Sequence, residues 1–109
     1  MKITLNIPDK RITDLIHGHG GSVSGWLHKL TGNCLRGQAG CYVQFDLEEK
    51  DEGNGDGKMR FGRKRIREGL TIMAQESPYQ FGQFLSGDDD DVTFDTALQC
   101  IIFKKMVYA

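Results

Sequence analysis

Cys41, Val43, Phe45 and Leu47 alternate with Tyr42, Gln44 and Asp46. Successive side chains of a strand point to opposite faces, so this pattern predicts a strand with one buried side. Lys58-Met59-Arg60-Phe61 returns after Gly53-Asn54-Gly55-Asp56-Gly57, which predicts a hairpin with a long tip. Ile3, Leu5 and Ile7 alternate with Lys2, Thr4 and Asn6 and predict a further strand, ended by Pro8.

The rest of the chain changes period. Asp9 is placed to cap a helix whose apolar face is Ile12, Leu15 and Ile16. The run His17-Gly18-His19-Gly20-Gly21 breaks it, because successive glycines disfavour helix. Val23, Trp26, Leu27 and Leu30 stand at i, i+3, i+4 and i+7, which predicts a second helix, capped by Ser22 or Ser24 and closed at Gly32-Asn33. Ile66, Leu70 and Met73 mark a helix over about 63–75. Pro78 starts a short aromatic helix with Phe81, Phe84 and Leu85, which Gly87 stops. Asp88 to Asp91 lead into a last helix, with Asp91 or Thr93 as its start signal and Ala97, Leu98, Ile101 and Ile102 on its core face. The expected fold is α+β: a small antiparallel sheet of about three strands with helices packed on one face. With 109 residues, one domain over 1–109 is expected.

A chain of this length buries roughly two-thirds of its unfolded surface and needs neither disulfide nor metal to hold it. Three cysteines (Cys34, Cys41 and Cys100) and an N-terminus without a continuous apolar core argue against a secreted disulfide scaffold. No apolar run approaches the ~18 residues of a membrane span. The cytoplasm is the expected compartment, and no membrane is expected as a partner.

Candidate chemistry is sparse. His17, His19 and His28 with a cysteine lack the doubled ligand pairs of structural zinc sites. Cys41 and Cys100 fall on apolar faces and read as small hydrophobes, while Cys34 beside Arg36 has the more reactive setting. Neither a P-loop nor a Gly-x-Gly-x-x-Gly after a strand is present. The Asp88–Asp91 cluster lacks the alternation and terminal Glu of a calcium loop. Trp26 reads as a core anchor, and Phe81 and Phe84 as core or an aromatic ridge. No catalytic residues, metal or cofactor are expected.

Charge is the most pronounced non-structural feature. Glu48, Glu49, Asp51, Glu52 and Asp56 are followed by Lys58, Arg60, Arg63, Lys64, Arg65 and Arg67. One reading is that the two runs pair across the hairpin and stay solvated. The other is phosphate contact, to nucleic acid or to a nucleic-acid-loaded complex. Only Phe61 interleaves the cations as an aromatic. Net charge is -1, which favours neither partner class in bulk.

Two stretches resemble a group of small, mostly uncharacterised proteins of bacteriophages and prophages. The first is Asp14-Leu15-Ile16, Gly20-Gly21 and Trp26. The second is Gly69-Leu70-Thr71-Ile72-Met73-Ala74, Pro78, Phe81, Phe84-Leu85, then Asp91-Val92-Thr93-Phe94-Asp95-Thr96-Ala97-Leu98-Gln99, Phe103 and Val107-Tyr108. The chain departs from that pattern at Val92, at Lys104-Lys105, where the family tends to have Gly-Glu, and at Ala109. The resemblance implies a phage or mobile-element context and no enzymatic mechanism.

Together these readings predict a non-catalytic interaction protein that binds and inhibits a host protein complex, with or without bound nucleic acid. The target class is a defence system, so an anti-CRISPR or anti-restriction role is expected. The expected contact surface is the charged hairpin: Glu48, Glu49, Asp51, Glu52, Lys58, Arg60, Arg63, Lys64, Arg65 and Arg67. The alternative is a small nucleic-acid-binding module using the basic run 58–67. Either a monomer or a homodimer is compatible with the pattern.

Overall fold

In a computed structural model, the structure describes residues 7–17, 26–32, 40–45 and 57–107. Their order is α1 (Asp9–His17), β1 (Leu27–Gly32), β2 (Cys41–Phe45), β3 (Lys58–Phe61), α2 (Arg63–Glu76), α3 (Pro78–Ser86) and α4 (Asp91–Phe103). The three strands form an antiparallel sheet in the order β1-β2-β3. This is the expected α+β arrangement.

The period-two reading of Cys41, Val43 and Phe45 holds. All three are buried, while Tyr42 and Gln44 between them are half-exposed. Cys41 lies opposite Phe61 and Val43 opposite Met59, so the inward face continues into β3. Phe45 donates its backbone N–H to the Gly57 carbonyl at 2.8 Å and closes the hairpin base. Gly57 takes φ 76 there, a conformation that L side chains rarely adopt.

The helix expected around Trp26 is instead strand β1. Leu27 lies opposite Phe45, Lys29 opposite Gln44 and Leu30 opposite Val43, with a register shift between Leu27 and Lys29. The extra residue of this bulge puts Leu27 and Leu30 at inward register positions three residues apart. A bulged strand therefore reproduces the i, i+3 spacing of a helix. The strand expected over residues 2–7 lies outside the described residues except for Ile7, which is partly buried against the core.

Helix α4 is the central element. Every residue from Thr93 to Phe103 except Asp95 is buried. A helix that is apolar nearly all round must be enclosed on most sides. Here α1, α2 and α3 pack against it, and Phe103 meets the sheet through Phe45, in an edge-on ring contact with centroids 5.3 Å apart. Trp26, buried as expected, also packs on Phe103 at 5.4 Å. The α2–α4 crossing is close because Gly69 has no side chain: a Cβ there would lie 2.4 Å from Ile101 Cγ1 and 2.7 Å from its Cα.

Local chemistry sets the helix ends. Asp90, rather than Asp91 or Thr93, caps α4: its carboxylate accepts the Thr93 N–H at 3.0 Å, and Thr93 Oγ1 accepts the Asp90 N–H at 3.1 Å. This reciprocal pair is a capping box built from Asp and Thr. The Thr93 bonds hold the Asp90 carboxyl below its usual value. Gly87 ends α3 in the left-handed conformation, as its position after Ser86 predicts. Lys104 does the same for α4 with φ 61, although it carries a side chain.

Candidate binding surface on the open face of the sheet

The basic run 58–67 is dispersed by the fold. Arg63 and Arg67 both pair with Asp9 of α1, at 2.8 Å and 3.7 Å respectively. Gly62 provides no side-chain cap for α2, and the first turn of that helix has no acidic residue. Cations there oppose the helix dipole, and Asp9 offsets part of that repulsion. Asp9 thus serves as an ion-pair partner for α2 as well as opening α1.

Arg65, one of the expected contact residues, is tied to the end of α4. Its Nε donates to the Ile101 carbonyl at 2.7 Å and its guanidinium NH2 to the Ile102 carbonyl at 3.1 Å. The last carbonyls of a helix have no partner within the helix. Arg65 satisfies two of them at the end of α4, from another element.

Lys58, Arg60 and Lys64 remain exposed. Lys58 and Arg60 stand at outward positions of β3, opposite Gln44 and Tyr42. Across the sheet, Lys29 and Thr31 of β1 occupy the register positions facing those same two residues. Two cross-strand rows result: Lys29–Gln44–Lys58 and Thr31–Tyr42–Arg60. The Arg60 guanidinium carbon sits 5.2 Å from the centroid of the Tyr42 ring, a cation–π contact. The Tyr42 hydroxyl accepts a hydrogen bond from Gln44 Nε2 at 2.8 Å.

The aromatic that accompanies the cations is therefore Tyr42. Phe61, read from the sequence as the interleaved aromatic, points inward and is 1% exposed. The parity was present in the sequence: Tyr42 is out of phase with Cys41 and Val43, and Arg60 is out of phase with Met59 and Phe61. The pairing that brings Tyr42 beside Arg60 was not.

The four acidic contact candidates Glu48, Glu49, Asp51 and Glu52 lie outside the described residues, as do Cys34 and His19 and the side chains of His17 and His28. Among the described residues no cluster of three metal-ligating side chains occurs. Cys100 is a free, buried thiol, pushed up to about 11 by burial and then by the charge of Glu76. Cys41 is buried as expected but is disulfide-bonded, not a free hydrophobic thiol.

Elsewhere, Asp89 from the 88–91 cluster, with its side chain 8% exposed, meets Arg11 at 3.0 Å. Arg11 also donates to the Phe84 carbonyl and lies over the Phe84 ring. With Asp90 capping α4 and Asp88 accepting from Ser86 Oγ at 3.0 Å, these carboxylates do structural work. Beside Arg11, a pocket of 160 Å³ is lined by Ile7, Pro8, Phe84 and Leu85. That is below the ~300 Å³ at which small-molecule sites begin. No helix among the described residues is long and apolar enough to cross a membrane.

Comparison of the chain with protein-family models, curated proteins and solved structures returned no match.

Proposed function

We propose that this chain is a non-catalytic binding protein of phage or mobile-element context that attaches to a host protein complex and blocks it. A restriction or CRISPR complex is the target class. The contact surface is the open sheet face with the adjoining start of α2, centred on Lys58, Arg60 and Lys64. One observation carries this reading: β3 exposes Lys58 and Arg60 in rows with Thr31, Tyr42 and Gln44, and these described positions hold no carboxylate, on a chain whose net charge is -1. Segregated charge of one sign steers association with a surface of the opposite sign. The sequence resemblance supplies the phage context.

The test is plaque formation by a targeted phage on cells carrying a restriction or CRISPR system, with and without the expressed protein. Expression is expected to restore plaques. The variant Lys58→Glu/Arg60→Glu/Lys64→Glu is expected to lose that effect while keeping the wild-type circular dichroism and melting temperature. Arg65 is left intact in this variant because of its bonds to α4. Full protection by the charge-reversed variant would move the contact away from this face. Absence of any effect of the wild type across such systems would overturn the anti-defence role.

A further inference from the structure

The open face of the sheet carries a more specific chemistry than positive charge. The Arg60 guanidinium carbon lies over the Tyr42 ring, 5.2 Å from its centroid, and the Tyr42 hydroxyl accepts a hydrogen bond from Gln44. Thr31 and Lys58 are exposed on the same two rows. A cation over an aromatic ring, flanked by an amide, a hydroxyl and a further cation, offers three kinds of contact at strand spacing. The π-faces stack on bases, the cations meet phosphates, and the amide and hydroxyl meet base edges.

We propose that this face binds single-stranded nucleic acid. A base stacks on the Arg60–Tyr42 pair, and the backbone runs along β3 past Lys58 toward Lys64. An acidic protein surface would use the cations but leave the Tyr42 platform without a role. A duplex keeps its bases stacked within the helix, so they are not open to Tyr42. The inference rests on the open face being the binding surface and names what that surface takes: the single-stranded component of a nucleic-acid-loaded host complex.

The test is fluorescence anisotropy on the full chain with labelled single-stranded RNA and DNA of about 12 nucleotides, within the usual site size, and with a duplex of the same sequence. Both single strands are expected to bind more tightly than the duplex, and a preference for RNA or DNA would identify the natural source. Two cations on phosphates, Lys58 and Lys64, predict a loss of roughly 7-fold between about 50 and about 200 mM salt. Tyr42→Thr, which keeps a strand-forming residue, is expected to weaken binding by about 10-fold, with Tyr42→Phe retaining it. Arg60→Gln should weaken it without altering the melting temperature.

Equal or tighter binding of the duplex would overturn the proposal, as would single-strand binding indifferent to Tyr42→Thr and Arg60→Gln. If no oligonucleotide binds, but the protein still blocks a defence system and loses this on charge reversal, the surface contacts protein. The nucleic-acid inference then falls and the functional reading stands. Loss of both effects would overturn both.

Discussion

Replacing Arg65 by Met separates a structural role from a contact role. Met keeps an aliphatic stem of similar length and removes the guanidinium. Two hydrogen bonds from a charged donor are lost, to Ile101 O at 2.7 Å and Ile102 O at 3.1 Å. Each such bond contributes roughly 1.5–3 kcal/mol when well shielded. Arg65 is half-buried, and water can reach the freed carbonyls in part, so each bond falls below that range, to about 1 kcal/mol, and the pair is worth about 2 kcal/mol in total. For a chain near 100 residues, that lowers the melting temperature by roughly 8–16 °C. The assay is urea unfolding followed by the fluorescence of Trp26, the one tryptophan in the chain, buried on Phe103. Lys64→Met, one position away and exposed, serves as the control and should stay within ~0.5 kcal/mol of wild type. An Arg65→Met variant as stable as that control, yet deficient in binding, would refute the capping argument and return Arg65 to the contact surface.

Four further outcomes follow from the same geometry. Gly69→Ala would press a methyl onto the Ile101 backbone and should cost about 1–3 kcal/mol by urea denaturation. Lys104→Gly should stabilise the protein by about 1 kcal/mol in the same assay, since Lys104 holds φ 61 at the end of α4 and glycine adopts that conformation without a Cβ clash. Asp90 has a lowered folded pKa, so its cap stabilises the protein above its ordinary value of 3.8 and is lost as pH falls through the lower folded value. The stability gap between wild type and Asp90→Ala, followed by thermal melts, should therefore close in acid. Cys100, pushed up to about 11, should resist iodoacetamide at pH 8 in the native state and react once urea unfolds the chain, as read by mass spectrometry. Because its folded pKa is raised, its contribution to stability is present below about 9 and is lost as pH rises through about 11.

Much of the fold was legible because regular periodicity reports burial about an element's own axis. The alternation in 41–45 and the apolar stripes of 9–17, 63–76, 78–86 and 91–103 each placed an element close to its observed bounds. Pro78 and Gly87 punctuated α3 for reasons internal to the backbone: a fixed φ at the helix start and a left-handed residue at its end. β1 was misread because a bulge gave a strand the spacing of a helix, and a register shift exists only relative to a partner strand.

The binding surface was legible in composition and not in arrangement. From the sequence alone, Lys58, Arg60, Arg63, Lys64, Arg65 and Arg67 form one basic run. Only the tertiary structure sorts them: Arg63 to Asp9, 54 positions away, Arg65 to the end of α4, 36 positions away, and Arg60 to Tyr42 across a strand pair. The physical reason is range. Side-chain type and spacing fix what a residue prefers and which side of its own element it occupies. Its ion-pair, capping or stacking partner depends on which distant segment the packed core brings alongside, and local pattern carries no record of that.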